Sequence, residues 1–409
     1  MSRPRRGGDA MGRAAATARR EREARFVARL ILVVAATPAF GCAGASSRRP
    51  AGVLEGGRAR TTGPAATTAT AVRGGETEAP PPGSADGVGP EGALRPGLAR
   101  GDGRPADADL ARGDAAYARG AYEEAAVAYA AAAEKAPEDA APWVGMARSQ
   151  LAAANIPEGV NAAPSSPEAM EAARWLRRAV GLGPNHAPAQ LERGRVLLVL
   201  GRLAQALAPL EAAARLAPRD AEAQSAMGLA LLLNGRGPAG VDALARAAEL
   251  DPDDAERHAN HGTALIQVGR VVDAIVAYDR ARQLAPEVAK HASNLGTAYL
   301  QDGDPKSARP HLERAVALDP ERATYRNNLG FCLEAEGEGD AALAAYREAT
   351  RRDPSLASAW INLGNARARR GELEAARTAI ERARALDPTD PRVVAALEEL
   401  DRLDPPATP

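Results

Sequence analysis

Aromatic residues are scarce: tryptophan, tyrosine and phenylalanine make up 3% of the 409 residues, although 45% are apolar. The apolar share is therefore carried by alanine, leucine and valine. Sheets and bulky globular cores draw on aromatic and β-branched side chains, so this composition favours closely packed helices. Lysine occurs only three times, at Lys135, Lys290 and Lys306. Arginine outnumbers it so heavily that arginine clusters carry no binding code of their own. Two cysteines, Cys42 and Cys332, are too few for a disulfide framework. Long apolar runs are missing too. Leu30–Ala36 falls far short of the roughly 20 residues that span a bilayer.

Catalytic signatures are equally thin. There is no Gly-x-Ser-x-Gly, no phosphate-binding Walker loop and no His-Glu-x-x-His. Gly-x-Gly-x-x-Gly occurs at 87–92 and 235–240, but neither copy follows a predicted strand, so neither reads as a dinucleotide site. No catalytic residue, cofactor, metal or small-molecule substrate is expected, and the chain reads as a non-enzyme.

The net charge is −1, unevenly spread. Residues 1–29 hold nine arginines against Asp9, Glu21 and Glu23, a balance of +6 that leaves −7 for the rest. A mildly acidic body argues against nucleic acid as a partner.

What is present begins with an address. The basic start leads into Phe26–Phe40, "FVARLILVVAATPAF", and then small residues, the shape of an export signal over 1–41. Ala39-Phe40-Gly41-Cys42 resembles a bacterial lipobox, which implies that Cys42 is acylated and becomes the mature N-terminus. Leucine is usual where Ala39 stands, and Phe40 is bulky. Ala39 and Gly41 also have the small-x-small spacing of ordinary signal cleavage. Residues 43–105 contain 14 glycines and 8 prolines among 63 residues, with no aromatic and no isoleucine. Such a stretch buries too little apolar surface to offset its ordering entropy. The composition predicts a disordered Gly/Pro/Ala-rich tether over 42–105, with a reach of roughly 40–50 Å.

Beyond it the chain is periodic. Pro184, Pro218, Pro252, Pro286, Pro320, Pro354 and Pro388 are spaced 34 residues apart. Gly194, Gly228, Gly262, Gly296, Gly330 and Gly364 keep the same step, as do Gly201 through Gly371 and Ala213 through Ala383. The stretch Asn294–Pro320 is one copy.

This period resembles the tetratricopeptide repeat, a 34-residue helix–turn–helix. The family expects a small residue at repeat position 8, glycine near 15, alanine at 20 and 27, a large apolar residue at 24 and proline at 32. In one copy these are Gly296, Gly303, Ala308, Ala315, Leu312 and Pro320. Small residues let helices approach closely, Gly303 can end the first helix, and Pro320 cannot continue the second. The resemblance implies an all-α, right-handed α-solenoid of eight repeats: 106–139, 140–186, 187–220, 221–254, 255–288, 289–322, 323–356 and 357–390. The second copy carries 13 extra residues near 155–167, after which Ser165-Ser166-Pro167-Glu168 has the form of a capping box. A last amphipathic helix, Val393 to Leu403, is expected to cap the array within the tail 391–409. Pro209 and Pro310 fall inside expected second helices, where each should kink or loosen the backbone.

Tetratricopeptide arrays hold peptides on the concave face of their first helices. At position 6 this chain has Asn260, Asn294, Asn328 and Asn362, with Asn327 and Asn365 beside them. An amide both donates and accepts, so the row could grip a peptide backbone without reading its sequence. It resembles the asparagine ladder of the O-GlcNAc transferase array. Asparagine is also common here for structural reasons, and both readings stand. The Lys/Asn/Arg set of chaperone-tail clamps is missing. His258, His261 and His291 lack a completing carboxylate or thiol, and Cys332 takes a position where neighbouring repeats carry alanine.

Together these readings describe an exported, non-catalytic scaffold. It would be lipid-anchored at Cys42 in the outer membrane, face the periplasm and bind a protein or extended peptide. By resemblance, secretin and pilus assembly or other envelope complexes are its setting. The alternative is a recognition subunit of an envelope enzyme acting on peptidoglycan or glycans.

Overall fold

Aspartates open many of the helices. In the computed structural model, which describes residues 97–403 apart from 102 and 158, Asp139, Asp220, Asp254 and Asp304 each accept a backbone N–H from the first turn that follows. The expected leader, Cys42 and most of the expected tether lie outside the described residues.

Among the described residues there are helices and no strands, falling into two units that divide after Leu284. The first unit holds α1 (Asp107–Ala118), α2 (Tyr122–Lys135), α3 (Ala140–Ala153), α4 (Pro167–Leu182), α5 (Ala187–Val199), α6 (Leu203–Leu216), α7 (Ala221–Leu233), α8 (Gly237–Leu250), α9 (Ala255–Gln267) and α10 (Val271–Leu284). The second holds α11 (Ala289–Gln301), α12 (Pro305–Leu318), α13 (Ala323–Ala335), α14 (Gly339–Arg352), α15 (Ala357–Arg369), α16 (Leu373–Leu386) and α17 (Pro391–Leu403). Up to α16, each odd-numbered helix (A) packs on the even-numbered helix (B) that follows it. In the second unit α17 closes on α16, burying Val393, Ala396 and Leu400 beside Ile380.

Size complementarity joins each pair. A Cβ built at Gly194, Gly228, Gly262, Gly296, Gly330 or Gly364 would lie 2.3–2.8 Å from Leu210, Leu244, Tyr278, Leu312, Tyr346 or Ile380 respectively. In these six pairs the A helix has no side chain where the B helix places a large buried one. Alanines at the two other small positions, such as Ala308 and Ala315, are fully buried. The core is thus a succession of small clusters, as expected where each repeat touches only its neighbours.

The A helices end alike. After α11, Gly303 takes φ +82°, and the Asp304 N–H reaches back to the Tyr299 carbonyl at 2.9 Å. Only α3 lacks the glycine. There Asn155 occupies the left-handed region (φ 53°), and the Ile156 N–H bonds the Leu151 carbonyl. Asparagine tolerates this conformation better than most side chains. The extra residues that follow fold onto the end of α5: the Asn161 N–H donates to the Leu198 carbonyl at 2.8 Å and the Ala163 N–H to Val199 at 3.1 Å. Two carbonyls of the last turn gain partners that way.

The start of α4 departs from the expected box. Ser166, not Ser165, is the cap; its Oγ accepts the Ala169 N–H at 3.0 Å and donates to Glu168 Oε2 at 2.7 Å. With Ser166 as cap, Glu168 sits one residue too early to reach back. Pro209 and Pro310 lie inside α6 and α12, and both helices continue through them.

Candidate functional site

Positions 2 and 9 of a repeat lie two turns apart on one face of its A helix. In α1 they are Asp107 and Asp114. These two carboxylates hold residues 97–101, which precede the helix. Asp114 Oδ2 accepts the N–H groups of Leu98 (2.7 Å) and Ala99 (2.9 Å), and Asp107 Oδ1 accepts those of Arg100 (2.8 Å) and Gly101 (3.1 Å). The segment therefore runs opposite to α1. The Leu98 side chain is buried with Leu110 and Tyr129. Tyr129 donates its hydroxyl to Asp114 Oδ1 at 2.8 Å, and burial pushes the phenol well above its ordinary pKa. Arg100 reaches Asp139 Oδ1 at 3.2 Å, the same carboxylate that caps α3. Packing thus begins before the first expected repeat, because Leu98 finds an apolar site and its backbone finds acceptors.

A second pattern governs the junctions between successive A helices. Position 6 of one repeat meets positions 5 and 9 of the repeat before. At the α3–α5 junction of the first unit this slot holds an ion pair, Arg148 Nε to Glu192 Oε1 at 2.9 Å, with both side chains buried. In the second unit it holds amides. Asn328 Nδ2 donates to Ser293 Oγ (3.4 Å) and lies 3.5 Å from Thr297 Oγ1; Asn362 Nδ2 donates to Asn327 Oδ1 at 2.9 Å. Asn327 and Asn328 are buried, as the structural reading of the row has it. An amide that joins two helices is not free for a ligand. Asn260 in the first unit, and Asn294 and Asn365 in the second, are half-buried and have no side-chain partner among the described residues. In the second unit Phe331, at position 9 of α13, is the most exposed aromatic among the described residues, at 39%. Sequence reasoning passed over Phe331 because a single phenylalanine in a helix reads as core.

The histidines are spoken for locally. His258 Nε2 donates to the Pro252 carbonyl at 3.0 Å. The same backward reach, from position 4 to the carbonyl of the preceding proline, is made by Gln190, Gln224, Arg326 and Trp360. Burial, then His258, lowers the pKa of His261, and His291 is buried. Among the described residues no three His, Cys, Asp or Glu side chains come together as a metal site. Cys332 is buried, donates its thiol to the Pro305 carbonyl at 3.2 Å, and is pushed up to about 11 by that burial.

The tetratricopeptide-repeat profile matches 167–221, 191–255, 225–289, 259–323, 293–357 and 333–391, together more than half of the 409 residues. The chain belongs to the tetratricopeptide repeat family. Proteins of this family are protein-interaction scaffolds. Helices α1–α3, with the segment they hold, precede the matched windows. No curated protein sequence matches the chain. Among solved structures, the Cut9–Hcn1 hetero-tetramer of the APC/C is 16% identical, with a TM-score of 0.49 over 74% of this chain and 57% of that one. This chain therefore spans little more than half of that protein's length. YrrB, described as a tetratricopeptide protein with an unusual peptide-binding site, is 25% identical (TM-score 0.37; 46% of this chain, 97% of that one). PilF of Pseudomonas aeruginosa is 21% identical (TM-score 0.44; 52% of this chain, 97% of that one).

Proposed function

We propose that this tetratricopeptide-repeat chain is a non-catalytic scaffold that binds a partner protein or extended peptide along its A helices. In this reading it is exported, anchored by a lipid on Cys42 and turned toward the periplasm, where it serves envelope assembly. The export half of the proposal draws on the basic start, the short apolar run and the Cys42 context.

The binding half is carried by one observation. Successive A helices of the second unit present Asn294, Phe331 and Asn365: two amides without partners and an exposed aromatic ring. Peptide grooves combine apolar anchors with groups that pair to the backbone. Asn327, Asn328 and Asn362 support this face from behind, because their hydrogen bonds fix neighbouring A helices in register. The four-residue ladder is thereby reduced to the amides that remain open, with Asn260 the corresponding residue of the first unit.

The test compares wild-type chain with the triple variant Asn294→Ala, Phe331→Ser, Asn365→Ala in capture from detergent-solubilised envelope. Two lost amide contacts at about 0.5–1.5 kcal/mol each give roughly 5- to 150-fold weaker binding before Phe331 is counted. The melting temperature should stay near that of wild type. Secretin or pilus subunits lost from the variant would support the assembly role; wall-modifying enzymes lost instead would make it a recognition subunit. An unchanged captured set would refute this face as the binding surface.

A further inference from the structure

Residues 97–101 are held like a bound peptide. Four successive backbone N–H groups go to two carboxylates of α1, one apolar side chain is buried, and one arginine reaches Asp139, the acid that caps α3. Backbone pairing with one apolar and one charged anchor is how a groove reads an extended ligand. The contacts are charge-assisted, which roughly doubles the strength of each hydrogen bond.

Local preference does not hold the segment there. Leu98-Ala99-Arg100-Gly101 recurs as Leu110-Ala111-Arg112-Gly113. The second copy is part of α1, whereas the first forms no helix. Leucine, alanine and arginine all favour helices, so the docked backbone is imposed by Asp107 and Asp114. Gly101 and Gly103, with φ +70° and +71°, bend the chain between the docked residues and α1.

We propose that the α1 face around Asp107, Asp114 and Asp139 is a peptide site occupied in cis by residues 97–101. Its outside ligand is a protein segment that offers an aliphatic side chain followed, two residues later, by arginine. Such a segment displaces the chain's own copy, so occupancy of the first repeat is coupled to release of the preceding residues. The inference rests on the scaffold reading for the existence of an outside partner. The two fail separately, because the test below uses the chain's own peptide at α1 and does not involve Phe331 or the second unit.

The probe is a fluorescein-labelled peptide of residues 95–103, titrated by anisotropy into the full chain. The double variant Leu98→Pro, Arg100→Pro removes both side-chain anchors and one backbone donor to each carboxylate, and so empties the site without altering its walls. It should capture the peptide, and a scrambled peptide should not bind. Wild type should bind at least about tenfold more weakly, since a tethered competitor acts at roughly millimolar effective concentration. Asp107→Ala with Asp114→Ala, added to the emptied chain, should abolish capture. No capture by a folded emptied chain, or equal capture by emptied and wild-type chains, would overturn the proposal. A second measurement serves if the emptied chain fails to fold. In wild type, amide exchange at Leu98–Gly101 should quicken when millimolar unlabelled peptide is added. Unaltered exchange would mean that the segment is fixed structure and not a ligand.

Discussion

Gly296 offers the sharpest check on the packing argument. A Cβ there would stand 2.6 Å from Leu312 Cγ, 2.9 Å from Cδ2 and 3.1 Å from the Ala308 carbonyl oxygen. Carbons in contact sit about 3.5–4.0 Å apart. Either Leu312 moves by about an ångström or α11 and α12 part. Leu312 is 0% exposed, so it has no space to move into. Overpacking of this kind costs about 1–3 kcal/mol, and alanine regains about 1 kcal/mol over glycine inside a helix. Gly296→Ala should therefore lose roughly 0–2 kcal/mol. Gly296→Val, with two more methyl groups and a smaller helix gain, should lose roughly 2–3 kcal/mol. Gly181 is the control: it is exposed on α4, and nothing lies within 4 Å of a Cβ placed on it. Gly181→Ala should stabilise by up to about 1 kcal/mol. Urea-unfolding midpoints of the full chain read all three. A Gly296→Val midpoint at or above wild type, or Gly181→Ala below Gly296→Ala, would refute the reasoning.

The asparagine junctions predict a split. Asn328→Ala removes a buried inter-helix bond and should lower the melting temperature by the equivalent of about 1 kcal/mol, whereas Asn294→Ala should leave it unchanged; equal effects would refute the distinction. His186 predicts a pH dependence. Its Nδ1 caps α5 by accepting the Ala189 N–H at 3.2 Å, and burial, followed by Arg100, holds its pKa below the ordinary 6.5. The unfolded chain therefore takes up this proton first, so the stability contributed by the neutral ring is present above 6.5 and is lost as pH falls through the folded pKa. His186→Asn keeps a capping acceptor that does not titrate, and melts between about pH 7 and 5 should show a flatter profile than wild type. An identical profile would remove His186 from the acid response. Cys42→Ser should abolish acylation and release the chain from membranes; an unmodified mature N-terminus in the wild type, read by mass spectrometry, would end the lipoprotein proposal.

The repeat register was legible in the sequence because its signals are local and redundant. A glycine that ends a helix, a proline that cannot continue one, and a small residue facing a large one sixteen positions later recur in step. Each repeat carries its own instructions, so Gly296, Leu312, Gly303 and Pro320 could be placed from one copy. The candidate site was only partly legible. At position 6 the sequence could not divide the asparagines into joined and open ones. That division depends on whether the preceding A helix offers Ser293 and Thr297 to Asn328, or Asn327 to Asn362. Those partners lie about one repeat away and meet only after the helices have packed.

Composition alone assigned residues 97–101 to the tether, being rich in glycine and poor in apolar side chains. Tertiary structure decided otherwise, through one leucine that fills an apolar site and two carboxylates positioned two turns apart on α1. The same four residues, Leu-Ala-Arg-Gly, are helical at 110–113 and non-helical at 98–101. Helix propensity is a fraction of a kcal/mol per residue, whereas a buried leucine and four charge-assisted hydrogen bonds outweigh it several times over. Periodicity by itself determined where the helices lie; which side chains and backbone groups they leave open was decided only by contacts between residues distant in the chain.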